Sequence, residues 1–200
     1  MKKSLIVFLL CALSLPAQAV LDSAQVRQLA AEDSGDKVAA IHQLTQTADP
    51  DAVRVLRAMA GDSLFLAGDK AVIIDGDTAF DAATGTVIKM PANPESVTVN
   101  NRIRGELANA LAALKLFDGD AAVRLASAQK LQSSVSPEMA PLLARALEKE
   151  SDAQIRALLT LAHAQANLGN ADPAARLAAV QALAETASPA IKSVLLPLTD

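Results

Sequence analysis

The stretch DPAARLAAVQAL at residues 172–183 decides the fold, because a close copy of it, DAAVRLASAQKL, stands 52 residues earlier at 120–131. Between residues 120–143 and 172–195, ten of 24 positions are identical. Leu and Ala recur at spacings of three and four in these segments, which predicts helices with an apolar stripe. Because one repeat alone cannot bury such a stripe, we expect the copies to stack into one array.

The repeat extends upstream, where Ile103 and Arg104 align with Ile155 and Arg156, so the unit has about 50 residues and three helices. A fainter third copy lies 87 residues before the middle one and aligns Asp33, Lys37, Leu44, Pro50 and Leu56 with Asp120, Arg124, Leu131, Pro137 and Leu143. The periodicity predicts helices at about 23–32, 35–47, 50–61, 101–117, 120–133, 137–149, 152–168, 173–186 and 189–198.

An Asp followed four positions later by a basic residue opens each copy of the repeat. These structural positions are Asp33, Lys37, Asp120, Arg124, Asp172 and Arg176. The Asp is expected to cap a helix, and the basic residue to bridge to it or to the next repeat's Asp. A Pro after Asp49, Ser136 and Ser188 suits the first position of the second helix. We interpret the frame as structural and not as a ligand site.

Residues 63–100 break the helical pattern. The segments AVII at 71–74 and TVI at 86–88 resemble strands, while Gly-containing turns and two prolines, Pro91 and Pro94, bound them. This predicts a small β-hairpin or meander inserted into an α-solenoid. Since insertions on a repeat scaffold often lie on its working face, we expect a contact with a partner here.

The N-terminus has the features of an export signal. Lys2 and Lys3 precede an apolar run at 5–15, and AQA at 17–19 fits a cleavage site. Eleven apolar residues are too few to cross a bilayer as a helix, although an uncleaved anchor stays an alternative. Acylation at Cys11 is a further alternative, disfavoured because Leu10 precedes it. Removing the signal removes the only cysteine, and with it any disulfide or thiol chemistry.

The composition argues against several functions. Trp and Tyr are absent, and a net charge of −4 with both signs interspersed does not fit a nucleic-acid surface. His42 and His163 are the only histidines, with neither a nucleophile motif nor metal-ligand spacing nearby. We therefore predict no catalytic residue, no metal and no cofactor, and would accept an enzyme only if a histidine lay beside clustered carboxylates in a cleft.

Two further charged stretches are predicted to be structural. Asp75, Asp77 and Asp81 have a superficial similarity to a calcium loop, but Ala79 and Phe80 occupy the positions where a ligand and a glycine are required. We predict a plain turn there. The run Glu148-Lys149-Glu150 is predicted to be a solvated helix face.

The 172–183 stretch, followed by ASPAIKSVLLPL at 187–198, resembles a HEAT-type repeat. The sequence predicts a signal peptide, one repeat, a β insertion and then two further repeats. This order, together with VNNRIRGEL at 99–107, resembles the exported N-terminal extension of the permease in bacterial urea ABC transporters, relatives of branched-chain amino acid permeases. The expected organisation is a signal peptide at 1–19, a first helical repeat at 20–62, the β insertion at 63–100, and two three-helix repeats at 101–200.

The resemblance implies an import system with a periplasmic solute-binding protein, permeases and ATPases. The module would lie on the periplasmic side of the inner membrane, beside the permease core, without catalytic activity. The permease's apolar helices would begin about where the sequence stops, at Asp200, and a stop codon there would instead favour a free-standing periplasmic adaptor with the same HEAT-like solenoid. No substrate-contacting residue is carried over by the resemblance.

Overall fold

The computed structural model describes residues 21–185 of the chain. The predicted signal peptide at 1–19 and the predicted last helix at 189–198 therefore lie outside the described residues. The described part is mostly helical and carries one small antiparallel sheet. This confirms the mainly α class with a small β insertion.

Eight α-helices follow one another in this range. They are α1 Ser23–Gln28, α2 Ser34–Thr47, α3 Pro50–Ala60, α4 Asn101–Leu114, α5 Ala121–Leu131, α6 Ala140–Lys149, α7 Ala153–Asn167 and α8 Pro173–Glu185. Turns of 3-10 helix at Lys115–Phe117 and Pro137–Met139 extend α4 and lead into α6. The predicted helices agree with these bounds to within a few residues, except that α1 ends at Gln28 and not at 32, because the chain tightens into turns before Asp33.

Polar side chains fix most of the helix starts. The N-cap positions of α1 to α5 and α7 are held by Asp22, Asp33, Asp49, Asn100, Asp120 and Asp152, and each side chain accepts a backbone N–H of the first turn. Pro50 and Pro173 begin α3 and α8, where a missing N–H costs no hydrogen bond. Of these caps, Asp33 and Asp120 belong to the predicted capping frame.

The inserted sheet has five antiparallel strands. They are β1 Leu64–Ala67, β2 Lys70–Asp75, β3 Thr78–Asp81, β4 Val87–Ile88 and β5 Glu95–Ser96, in the spatial order β4-β3-β2-β1-β5. Gly68 and Gly76 adopt φ values of 65° and 56° in the tight turns on either side of β2, as glycine permits. The predicted plain turn at Asp75-Gly76 is confirmed, since β2 and β3 pair across it.

Helix α4 lies between two apolar cores. Leu107, fully buried, belongs to the core that α1, α2, α3 and the sheet share. Ala112 and Ala113 on the same helix belong to a second core, formed with α5, α6 and α7. Leu183 of α8 packs with Ala164 of α7 in a smaller third cluster. The chain before and after the sheet is thus joined through α4.

One predicted core position lies elsewhere. Leu177 is three positions before Val180 and six before Leu183, so the spacing of three predicts it on the apolar stripe of α8. However, 59% of that residue is exposed, because α8 faces α7 with Ala179 and Leu183 instead. Within residues 21–185, no helix combines the length and the apolar character needed to span a membrane.

Candidate functional site

The three repeated Asp residues serve as helix caps, as predicted. Oδ1 of Asp33, Asp120 and Asp172 accepts the N–H of the residue two positions later, at 2.7, 2.8 and 3.0 Å. Each carboxylate thereby satisfies a backbone donor that has no partner inside the helix. These residues occupy structural positions at three separate helix starts.

The basic partners do not make the predicted bridges to Asp. Nη1 of Arg124 donates to the carbonyls of Asp118 and Gly119, at 2.9 and 3.1 Å. Nη1 of Arg176 donates in the same way to the carbonyls of Asn170 and Ala171, at 2.7 and 3.0 Å. Lys37 is buried and its Nζ donates to the Thr98 carbonyl at 2.8 Å. The basic side chains therefore bind loop carbonyls and not the capping carboxylates.

The same frame recurs at two helices where the sequence comparison did not single it out. Asp152 caps α7, and Nη1 of Arg156 donates to the Leu147 and Glu150 carbonyls at 2.7 and 2.8 Å. Asn100 caps α4, and Arg104 four residues later pairs with Asp62 at 3.0 Å. A cap followed four residues later by a basic residue that binds a segment outside its own helix therefore occurs at α2, α4, α5, α7 and α8.

The prediction that 148–150 forms a solvated face is wrong for Glu150. That residue is 7% exposed, because it ends α6 at the corner before α7, where Arg124 of α5 covers it. The Arg124 guanidinium and the backbone N–H groups of Asp152 and Ser151 lower the pKa of Glu150 to about 2. Glu148, in contrast, is exposed as expected.

Two grooves of similar construction follow the repeat. One lies between α4 and α5 with a free volume of about 570 Å³, and the other between α7 and α8 with about 290 Å³. Eight lining positions correspond under the 52-residue shift: Ala108 and Thr160, Leu111 and His163, Ala112 and Ala164, Lys115 and Asn167, Val123 and Ala175, Ala126 and Ala178, Ser127 and Ala179, Lys130 and Ala182. The sequence repeat is therefore also a repeat of surface shape.

A separate cleft, which we call the His42 cleft, opens between α2, α4 and the segment before α6. Its lining consists of His42, Thr45, Gln46, Glu106, Asn109, Ala110, Ser134, Ser136, Glu138, Met139 and Leu142. His42 Nε2 lies 3.1 Å from Glu106 Oε2, and both side chains are partly buried, at 22% and 30% exposure. The cleft brings together polar residues that are far apart in the sequence.

The His42 cleft is acidic. Its lining contains two carboxylates and no Lys or Arg. The pKa of Glu138 is lowered by its own backbone N–H, then by the nearby Ser136 hydroxyl and by His42, against an opposing effect of burial. The Ser136 hydroxyl oxygen is buried and has no partner in hydrogen-bond geometry in the described part of the chain. The Ser136 hydroxyl therefore interacts with Glu138, although outside strict hydrogen-bond geometry.

His163 lies in a different setting. It lines the α7–α8 groove, where burial lowers its pKa, and its Nε2 lies 3.1 Å from Asn167 Nδ2. Since an amide nitrogen donates, Nε2 accepts and the ring proton resides on Nδ1. None of the described residues that line this groove is a carboxylate, whereas the His42 cleft has two.

His42 thus meets the geometric condition set for an enzyme, namely a histidine beside carboxylates in a cleft. A histidine held by a carboxylate can accept a proton, and Ser134 and Ser136 line the same space. However, Nε2 is directed at Glu106, and within residues 21–185 neither ring nitrogen of His42 bonds a hydroxyl. In the same range, no group of three or more His, Cys, Asp or Glu side chains is arranged to hold a metal ion.

The pairing of His42 with Glu106 was not predicted from the sequence, since 64 positions separate the two residues. The sequence did indicate that α2 and α4, which carry these two residues, have apolar stripes and must each pack against another element. No protein-family model matches the chain, and comparisons with curated proteins and with solved structures find no significant similarity.

Proposed function

We propose that this chain is a non-catalytic, exported HEAT-like α-solenoid that serves as a docking module of a urea-type ABC import system. The two matching grooves support the repeat array, because a periodic sequence that builds a periodic surface is characteristic of solenoids. The transport assignment rests on the sequence resemblance. The partners on this proposal are the permease core and the periplasmic solute-binding protein.

The observation that carries the docking role is the free edge of the inserted sheet. Strand β4 lies at one end of the strand order, and Val87 on it is 69% exposed. Met90, two residues beyond the strand, is 40% exposed. An edge strand with exposed apolar side chains can accept an additional strand or an apolar surface from a partner. The contact therefore involves the β insertion.

Co-purification tests this proposal. Tagged protein is purified from its source cells after cross-linking, as wild type and as the double variant Val87→Glu, Met90→Glu. We expect the permease or the solute-binding protein to accompany the wild type and to be lost from the double variant. Leu177→Glu is the matched control, because Leu177 is similarly exposed but lies on α8. The transport assignment is abandoned if no transport protein is captured and the neighbouring genes encode none.

The alternative of a free-standing periplasmic adaptor makes a different prediction in the same experiment. The β4 edge would still capture a partner, and the double variant would still lose it, but that partner would belong to no transporter. The identity of the captured protein therefore separates the two proposals.

Catalysis is the second candidate function, favoured by the His42–Glu106 pair. The free volume of the His42 cleft is about 20 Å³, space for roughly one water molecule and too little for an organic substrate at the reacting groups. A serine-directed fluorophosphonate probe distinguishes the cases. We expect no labelling of Ser134 or Ser136, whereas labelling that disappears in His42→Asn would establish a nucleophile.

A further inference from the structure

The groove between α4 and α5, which we call the α4–α5 groove, has an apolar surface with a cation at each end. Six of its nine lining residues are Ala, Leu or Val, and the others are Lys115, Ser127 and Lys130. Because the short segment 115–120 joins the two helices, they run in opposite directions. Lys115 directly follows α4 and Lys130 lies in the last turn of α5, so the two lysines are at opposite ends of the groove.

The positive charge of this groove is not part of the repeat. Under the 52-residue shift, Lys115 corresponds to Asn167 in the α7–α8 groove, and Lys130 corresponds to Ala182. The packing of the helix pair therefore does not require a lysine at either position. Both lysines are exposed, and neither forms an ion pair with any residue in the described part of the chain. Their ammonium groups are free to bind carboxylates of another molecule.

Ser127 provides an independent indication of a binding surface. It lines the groove with only 4% of its surface exposed, and its hydroxyl has no hydrogen-bond partner within residues 21–185. Helical hydroxyls often bond the carbonyl four residues earlier, as Thr160 does with Arg156. A buried hydroxyl without a partner costs free energy, and the corresponding residue of the α7–α8 groove is Ala179. A polar group of a bound partner would remove that cost.

The shape of the groove fits an α-helix. The lining residues Ala108, Ala122 and Ala126 are exposed, and their small side chains allow another helix to approach closely. Elsewhere in the chain a helix packs in the same way on two others, since α7 contacts both α5 and α6. A small molecule would stay largely exposed in so open a groove, whereas small-molecule sites enclose most of the ligand surface. A helix is therefore the favoured occupant.

We propose that the α4–α5 groove docks an amphipathic α-helix of a partner protein. Small apolar residues of that helix pack on the alanines, and a carboxylate at each end of its apolar face pairs with Lys115 and Lys130. From Ala108 to Lys115 the groove extends over about 10 Å of helix, so the two carboxylates are about two helical turns apart. No lining residue belongs to the sheet, so this surface is distinct from the β4 edge.

A synthetic helical peptide is the probe for this surface. It has about 18 residues, with Ala and Leu along one face and a Glu at each end of that face, and a staple on the opposite side holds the helix. Fluorescence anisotropy of the labelled peptide with the full chain should show saturable binding. The same peptide with Lys in place of both Glu should bind at least about tenfold more weakly, because it places like charges together.

Charge variants test the role of the two lysines. Lys115→Gln, Lys130→Gln should weaken binding of the Glu peptide about tenfold, by removing both ion pairs. The double variant Lys70→Gln, Lys89→Gln is the matched control, because it removes the same charge from exposed lysines in the inserted segment, and it should leave the affinity unchanged. Lys115→Glu, Lys130→Glu should bind the Lys peptide in preference to the Glu peptide.

The repeat offers a matched pair of blocking variants. Ala126 and Ala178 are exposed and occupy the same position in the two grooves. Ala126→Glu should abolish binding of the Glu peptide, since it adds bulk and negative charge to the groove, whereas Ala178→Glu should have no effect. Thermal melts of both variants check that the fold is retained.

The absence of saturable binding would overturn the proposal, as would equal effects of Ala126→Glu and Ala178→Glu. Two other occupants have their own readouts. Self-association that Ala126→Glu abolishes would indicate a second copy of this chain. Binding to phosphatidylglycerol vesicles that Lys115→Gln, Lys130→Gln abolishes would indicate a membrane surface. Either result without peptide binding would replace the partner helix. The Val87→Glu, Met90→Glu variant should retain peptide binding, so failure here is separable from failure of docking at the β4 edge.

Discussion

The Arg124 guanidinium holds the Glu150 carboxylate through two hydrogen bonds, from Nε to Oε2 at 2.7 Å and from Nη2 to Oε1 at 3.1 Å. Oε1 also accepts the backbone N–H groups of Ser151 and Asp152, both at 2.9 Å. One buried carboxylate thereby joins α5 to the corner between α6 and α7. Arg124 belongs to the repeated frame of Asp and basic residue, whereas its partner Glu150 lies outside that frame.

Removing the charge of Glu150 should destabilise the fold. Glu150→Gln keeps the size of the side chain but replaces a carboxylate oxygen that accepts hydrogen bonds from Arg124 and the backbone. We expect a loss of about 1.5–3 kcal/mol in the free energy of unfolding, as for hydrogen bonds to charged groups. Urea denaturation measures it. Glu148→Gln on the same helix end is the control and should change stability by less than about 0.5 kcal/mol; equal effects would contradict the role of the pair.

The same pair predicts a pH dependence. Glu150 has a pKa of about 2 in the folded chain, below the ordinary value of 4.5, chiefly because of the hydrogen bond from Arg124. A depressed folded pKa stabilises the protein above the unfolded pKa, and this contribution is lost as the pH falls from 4.5 towards 2. The stability difference between wild type and Glu150→Gln should therefore shrink over that window. A difference that stays constant in urea titrations at successive pH values would refute this account.

Lys37 should control the segment that returns from the sheet to α4. Its buried ammonium donates to the Thr98 carbonyl, 61 positions away, and joins α2 to the end of the insertion. Lys37→Met retains the chain length but removes the donor and leaves the carbonyl without it. We expect faster amide hydrogen exchange around residues 96–100, with little change in α7. The exposed Lys130→Met is the control, and unchanged exchange near Thr98 would show that the bond is dispensable.

Local patterns predicted the helices because they act locally. An Asp cap and the basic residue one turn later are only four positions apart, as in Asp120 and Arg124. Periodicity and capping therefore predicted most helix starts correctly. Strands β2 and β4 were predicted from the β-branched residues in 71–74 and 86–88. Strands β1, β3 and β5 were missed, since together they contain a single β-branched residue, Thr78.

Contacts between distant segments were not predictable in the same way. His42 and Glu106 meet because α2 packs directly on α4, although the inserted sheet separates the two helices in the sequence, and no sequence spacing encodes that approach. Glu150 was misjudged for a similar reason: a charged run reads as solvent-exposed until the helix covering it is known. The sequence repeat therefore predicts the helical scaffold, whereas the candidate site depends on which helices pack against each other.

Gly76 and Gly105 should respond in opposite directions to replacement by alanine, because Gly76 has a positive φ and Gly105 is helical. Gly76, in the turn between β2 and β3, has a φ of 56°, and nothing lies within 4 Å of an added Cβ, so an alanine there meets no clash with other residues but a strained backbone. Gly76→Ala should cost about 1–2 kcal/mol. Gly105 lies inside α4, also with open space around an added Cβ. Gly105→Ala should instead stabilise the protein by about 0.5–1 kcal/mol, because alanine loses less backbone entropy on forming a helix. Urea denaturation of both variants should therefore give changes of opposite sign, and a destabilised Gly105→Ala would show that α4 uses this position for a contact.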